Sequence, residues 1–427
     1  MELYEHQKQA LEFVADKNRI AFYHDQGLGK TFTGAEKMHQ LGATVNLIVC
    51  QKSKIEDWVE HFRTYYSYIP QFTYDLTDAK QFEAFIKHTQ FIGSDGEACY
   101  GVINYDLVWR RKQLLQLKDF TLMLDESSLI QNEQAKRSKF ILKLQPKNVI
   151  LLSGTPTAGK YETLWSQMHL LGWKISKELY LNTYVDYHWD EANGFPLRVI
   201  DGYKNVDRLK RKMRQYGCHF LKTEDCINLP EQIDQTIKVP VTNEYQIFKR
   251  DRICTVEDNE LVGDTVLTKL LYQRQLCGQY NSDKLEAFRD LVESTNERLI
   301  VFYNFNAELY KLWDIAEELS RPISAVNGNE RSLREYETQD NSITFIQYQA
   351  GSYGLNLQKA RRIIYFTPPL SSEIYEQSRK RIHRIGQSKT CFYYHLTCKG
   401  SVEERIYKTL AMRKDYTDEL FKEEEDG

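Results

Sequence analysis

No stretch of this sequence approaches the roughly 20 apolar residues needed to cross a bilayer, and none is of low complexity. Proline is scarce, with 9 in 427 residues, which excludes Pro-rich disordered and collagen-like chains. The eight cysteines (Cys50, Cys99, Cys218, Cys226, Cys254, Cys277, Cys391 and Cys398) include no C-x-x-C pair and no histidine at zinc spacing. The common zinc modules are thereby excluded, and free thiols of a reducing compartment are expected. An excess of one charge is lacking as well: 57 Lys and Arg face 60 Asp and Glu, a formal −3. That balance excludes a uniformly basic nucleic-acid coat but not a local basic groove, because affinity follows local phosphate contacts. The acidic, polar start Met1-Glu-Leu-Tyr-Glu-His is unlike a signal peptide, and a cytoplasmic protein is expected. What is present is globular, 41% hydrophobic and 27% charged, with a length that points to two or three domains.

The organising stretch is Asp25-Gln-Gly-Leu-Gly-Lys-Thr31, after the apolar strand pattern that starts at Arg19. Gly27 and Gly29 allow a tight turn whose N–H groups point at an anion. Lys30 adds a charge, Thr31 a hydroxyl for Mg²⁺, and the helical pattern to Gln40 a favourable N-terminal field. The full phosphate-loop pattern asks for glycine where His24 stands, so by residues alone the segment is either a phosphate loop or an ordinary glycine-rich turn. Around it, the spacing predicts a short helix within Leu3–Ala15 and buried parallel strands at Val45–Cys50, Gly101–Asp106, Phe120–Asp125 and Asn148–Ser153. Strand, loop, helix and strand form a βαβ unit. Lys52 and Lys54 fall where the carboxyl edge of such a sheet opens, as ligand contacts or as a solvated helix start. Asp125-Glu126 ends an apolar strand. Such pairs are usually solvated, but beside a phosphate loop Asp125 can hold Mg²⁺ and Glu126 can deprotonate water.

Downstream, Tyr161–Leu171 has helical period, and Asn193-Gly and Asp201-Gly mark turns in a helical or hairpin insertion at about 173–214. A second α/β pattern follows, with a helix from Lys284 and strands at Arg298–Asn304, Ile323–Gly328, Ser342–Gln347 and from Arg361. Gln349-Ala-Gly-Ser-Tyr-Gly354-Leu-Asn356 is a second glycine-rich loop. In Gln377-Ser-Arg-Lys-Arg381-Ile-His-Arg384-Ile-Gly-Gln387 the two numbered arginines stand three apart. On a helix they share a face and suit phosphate oxygens, or they form an ordinary solvated basic face.

Gly-Leu-Gly-Lys-Thr, Leu-Asp-Glu-Ser-Ser and Leu-Ser-Gly-Thr-Pro-Thr, in this order, resemble motifs I, II and III of superfamily 2 helicase-like ATPases. Arg381-Ile-His-Arg384-Ile-Gly-Gln387 resembles motif VI of the Swi/Snf branch in particular. The likeness spans nearly the whole chain. It departs at Gln26, where the family has Glu, at Ser127-Ser128, where it has Ala-His, and at Lys380.

The fold implied is two RecA-like lobes, parallel sheets flanked by helices with small helical insertions around an ATP cleft, at 1–243 and 244–427. The resemblance implies catalytic roles for Lys30, Asp125, Glu126, Arg381 and Arg384, nucleotide contacts from Gln7, Gly27, Leu28, Gly29, Lys30, Thr31, Gly354 and Gln377, and Mg²⁺ on Thr31 and Asp125. DNA contacts would fall to Lys52, Lys54, Asn104, Thr155, Asn304, Asn327 and Ser352. The activity implied is ATP-driven translocation of a monomer on double-stranded DNA, with replication or recombination proteins as partners and no membrane. A strand-separating or annealing helicase and an ATP-gated DNA-binding module remain the alternatives. The compact, undecorated form resembles motors of bacteriophage or bacterial genomes.

Overall fold

A computed structural model of the chain describes residues 2–91, 97–192, 195–350 and 355–421. They group into two compact units, Met1–Cys226 with Asp415–Gly427, and Ile227–Lys414.

The first unit runs through α1 (Glu5–Phe13), β1 (Arg19–His24), α2 (Lys30–Leu41), β2 (Val45–Cys50), α3 (Ile55–Tyr65), β3 (Gln71–Asp75), α4 (Ala79–Phe91), β4 (Ala98–Asn104) and α5 (Tyr105–Val108). It continues through β5 (Thr121–Asp125), α6 (Lys136–Ile141), β6 (Asn148–Ser153), α7 (Trp165–Leu170), α8 (Lys177–Tyr184), β7 (Val185–Ala192), β8 (Phe195–Tyr203), α9 (Val206–Gln215) and β9 (Cys218–Leu221). The sheet order is β3-β4-β2-β5-β6-β1-β9, and every neighbouring pair is parallel. The apolar runs are continuous because both faces are covered: Ala21 and Tyr23 of β1 enter one core, Ile20 and Phe22 the other. The carboxyl ends of β1 and β5 therefore open on the same edge, which brings the glycine-rich loop and the Asp-Glu pair together. The insertion is the antiparallel hairpin β7–β8 flanked by α8 and α9.

The second unit contains β10 (Gln232–Val239), α10 (Asn243–Asp251), β11 (Ile253–Val256), β12 (Asn259–Val262), α11 (Val266–Cys277), α12 (Ser282–Glu293), β13 (Leu299–Tyr303), α13 (Asn306–Glu318), β14 (Ile323–Val326) and β15 (Arg331–Ser332). α14 (Arg334–Thr338), β16 (Ile343–Gln347), β17 (Arg362–Tyr365), α15 (Ser372–Arg379), β18 (Cys391–Cys398) and, as far as Lys414, α16 (Val402–Phe421) follow. Its sheet has the order β10-β18-β17-β13-β16-β14-β15. The pairs are parallel except β14 with β15. The two α/β units were legible in the sequence, but the join was not. It was expected near residue 243 and falls at Cys226/Ile227, because β10 pairs with β18 along its whole length, from Gln232 opposite Cys391 to Val239 opposite Cys398.

All eight cysteines are free thiols. Cys277, Cys398 and Glu403 converge in the second unit, but the buried Lys284 ammonium lies 2.7 and 2.8 Å from the two Glu403 oxygens and supplies the cation itself. No helix among the described residues is long and apolar enough to cross a membrane.

Glu308, at the start of α13, is fully buried. Its Oε2 accepts from the N–H groups of Asn304 (2.9 Å) and Phe305 (3.1 Å) and from Thr367 Oγ1 (3.0 Å), while Oε1 has no partner. Burial pushes its pKa up to about 7 against these donors and the charge of Lys284. Between the ordinary carboxyl value and about 7 the folded chain holds a proton that the unfolded chain releases, so stability falls as pH rises through that window. Glu308→Gln should therefore gain about 3 kcal/mol on the wild type between pH 5 and pH 8. Urea unfolding at the two pH values checks this, and an equal difference at both would refute it.

Candidate nucleotide site

β1 delivers the chain into the loop through His24, which is fully buried with Nε2 2.9 Å from His219 Nδ1. His24 belongs to the strand and pairs with Leu221 of β9, so the glycine missing from the motif is missing from a position that needs no unusual backbone. The turn is made by Gly27 and Gly29, at φ 92° and 71°. A Cβ on Gly29 would sit 2.4 Å from Gln7 Nε2, so that position needs glycine for both conformation and space. Gln7 braces the loop from α1: its Oε1 accepts from the Tyr4 N–H (2.9 Å) and its Nε2 donates to the Gly29 carbonyl (3.1 Å). His6 Nε2 donates to the carbonyl of Leu28 (3.1 Å). Asp25 anchors the other side, accepting from the N–H (3.1 Å) and hydroxyl (3.3 Å) of Thr223. Lys30 Nζ donates to the carbonyls of His24 (2.9 Å) and Asp25 (3.1 Å), which sets the ammonium at the mouth of the loop. Lys30 and Thr31 open α2, whose N-terminus carries no side-chain cap, an arrangement that favours an anion.

Asp125 ends β5 beside this loop. Burial raises its pKa, opposed by the Trp58 Nε1–H donated to Oδ2 (2.9 Å) and by the charges of Lys30 and Lys54. A carboxylate so placed gains from a hard divalent cation, and with the Thr31 hydroxyl it offers the oxygen donors that Mg²⁺ takes. The residues present thus fit that ion. Glu126, the next residue, has a left-handed backbone at φ 55° and ψ 62°. For a non-glycine residue this costs about 1–3 kcal/mol and persists only where the surroundings hold it. Tyr105 Oη does so from one side, donating to the carbonyls of Asp125 (2.9 Å) and Glu126 (3.3 Å). From the other side Ser127 Oγ donates to Gln167 Oε1 at 2.7 Å.

Trp58, Tyr105 and Gln167 are site-building residues to which sequence reasoning gave no such part. The detectable signal was Gln167, a polar residue on the apolar helical face of Leu164, Met168 and Leu171. Of the expected DNA contacts in this unit, Lys52 is exposed and Lys54 pairs with Asp57 at 2.7 Å. Asn104 is buried at the end of β4. Thr155 is buried after β6, its Oγ1 without a hydrogen-bond partner.

In the second unit Arg381 and Arg384 do not lie on a helix, so the face they would share on one is not formed. α15 ends at Arg379, whose guanidinium is drawn into an ion pair with Asp234, and residues 381–386 are turns. The Arg381 N–H reaches back to Ser378 O (3.3 Å), Gly386 turns at φ 97°, and Gln387 Nε2 donates to the carbonyls of Gln358, Ala360 and Ile382. The arginines are therefore presented by a pinned loop and not by one helical face. Arg381 is buried, with Nη1 3.5 Å from the Leu355 carbonyl, and Arg384 donates to Asn356 Oδ1. Gln377 lies on α15, its Nε2 3.4 Å from Glu373 Oε1. The Asn304 amide donates to Thr367 Oγ1 (2.8 Å) and Pro368 O (3.1 Å). Asn327 Oδ1 accepts from the N–H groups of Asn329 and Glu330. Gly354 and Ser352 lie outside the described residues.

Residues 6–282 match the SNF2-related domain, and residues 283–386 match the helicase conserved C-terminal domain. Among curated proteins, the CHD3-type chromatin-remodeling factor CHR7 of Arabidopsis thaliana is 23% identical over 451 residues, covering 95% of this chain and 36% of that protein. The putative ATP-dependent helicase/translocase YwqA of Bacillus subtilis is 22% identical over 449 residues, covering 94% and 46%. A solved Sulfolobus solfataricus SWI2/SNF2 ATPase core in complex with dsDNA is similar at 18% identity and a TM-score of 0.47, covering 98% of this chain and 92% of that one. The chain spans between about a third and a half of the length of these two curated relatives.

Proposed function

The chain belongs to the SNF2-related domain family, and from that membership we propose that it is a DNA-dependent ATPase that moves along double-stranded DNA. The observation that carries the reading is the meeting, at one sheet edge, of a glycine loop that ends in Lys30 with a half-buried Asp125 and a strained Glu126. Lys30 and the amides that open α2 bind the phosphates of ATP. Thr31 and Asp125 would hold Mg²⁺, which when bound would neutralise charge on the phosphate oxygens. Glu126 takes a proton from the water that attacks the terminal phosphorus, and the bond from that phosphorus to the bridging oxygen breaks, releasing ADP. By likeness to the family's motif, the guanidinium forks of Arg381 and Arg384 are assigned the charge developed on the transferred group.

Grip on DNA comes through backbone phosphates, beginning with Lys52 and Lys54. Such contacts position without reading sequence, so binding is insensitive to sequence and weakens steeply with salt. A motor tracking one strand of an intact duplex displaces the third strand of a triplex in an ATP-dependent way and leaves a long blunt duplex paired. Both substrates can be run side by side. Unwinding of the duplex without triplex displacement would replace translocation by strand separation.

A further inference from the structure

Gln167, fully buried on α7, joins three segments of the first unit. Its Oε1 accepts from Tyr23 Oη of β1 at 3.0 Å and from Ser127 Oγ, next to Glu126, at 2.7 Å. Its Nε2 donates at 2.7 Å to the carbonyl of Pro156, in the loop that carries Thr155. The amide has one orientation only: a prolyl carbonyl can do nothing but accept, so Nε2 must face Pro156 and Oε1 must face the two hydroxyls. Gln131 Nε2 donates to the same carbonyl at 3.2 Å. Glu126 thus has two supports beside it, Tyr105 on the carbonyls of Asp125 and Glu126, and Gln167 on the hydroxyl of the following Ser127.

We infer that Gln167 is a positioning residue for Glu126. Through Ser127 it holds the Glu126 peptide against β1 and hence against the phosphate loop, and through Pro156 it ties that alignment to the loop after β6. The inference rests on the reading of Glu126 as the base. Nucleotide binding itself depends on other supports, namely Gln7, His6 and the anchoring of Asp25 by Thr223. Loss of the Gln167 amide should therefore lower turnover without weakening ATP binding.

The test is steady-state ATP hydrolysis on duplex DNA by wild type, Gln167→Met, Ser127→Ala and the double variant, below their unfolding temperatures. Gln167→Met keeps the side-chain length and removes both polar ends. Ser127→Ala removes only the arm to Glu126 and is small enough to leave the fold in place. Each single variant should lose about tenfold or more in kcat, with KM for ATP within about twofold of wild type. The double variant should fall no further than the lower of the two singles, as expected of residues acting through one bond. Wild-type turnover by Ser127→Ala overturns the inference, as does a multiplicative loss in the double variant or a KM that rises in step with the fall in kcat. Absence of hydrolysis by the wild type would instead refute the proposed function, so the two failures are distinguishable.

Discussion

Glu126→Gln is expected to bind ATP and DNA and then stall. The glutamine keeps the length and hydrogen-bonding reach of the side chain but cannot accept the proton of the attacking water. General-base catalysis contributes about 10²- to 10⁴-fold, and a loss of that order in kcat should appear with little change in KM for ATP. The structure gives the substitution an advantage as a probe. The strained φ of Glu126 is held through backbone carbonyls by Tyr105 and through the next residue by Ser127, and neither contact involves the Glu126 carboxylate. The variant should accordingly keep its fold and its nucleotide site. Filter binding with labelled ATP and duplex, run beside phosphate release, separates the two steps. A variant that turns over normally would remove Glu126 from the chemistry.

The second large effect is expected at Arg384. An arginine that stabilises the charge of phosphoryl transfer is worth about 10³- to 10⁵-fold in rate. Arg384→Ala should therefore bind both ligands and hydrolyse poorly. Arg384→Lys should recover little, since a point charge does not reproduce a planar fork. The guanidinium is held by Asn356 Oδ1, and burial lowers its pKa, so a milder defect should follow from Asn356→Ala, which leaves the charge and loosens its aim. Single-turnover kinetics on saturating duplex measures all three. Full activity of Arg384→Ala would assign the role to Arg381 or to neither.

Much of both sheets was legible because a parallel strand covered on both faces is a continuous apolar run, as in Val45–Cys50 and Asn148–Ser153, and because the run states its own limits. What failed was whatever depended on distant partners. The helix expected over Tyr161–Leu171 is formed, and only its first turn, Tyr161–Thr163, is tightened to 3₁₀ before α7. Tyr180 Oη takes the Tyr161 carbonyl at 2.7 Å, and Thr163 Oγ1 takes that of Lys160 at 2.6 Å. The motif around Arg381 and Arg384 is legible, but whether it is helical is not, because the pairing of Arg379 with Asp234 and the folding back of Gln387 are tertiary. The join between the units was displaced for the same reason, since β10 finds its partner strand only after the whole second α/β pattern has passed. In the site, the residues of the glycine loop and the Asp-Glu pair were readable by type and order. Their supports, Trp58 to Asp125, Tyr105 to the strained turn and Gln167 to three segments, were not, because each is a side chain whose meaning is its partner.

Phosphate release from ATP by the wild-type chain, measured with and without duplex DNA at one salt concentration, bears most directly on the proposed activity. Hydrolysis should be slow without DNA and rise at least about tenfold on saturating duplex, with the stimulation falling as salt weakens the phosphate contacts. Equal rates with and without DNA, or no hydrolysis in either condition, would contradict a DNA-dependent ATPase.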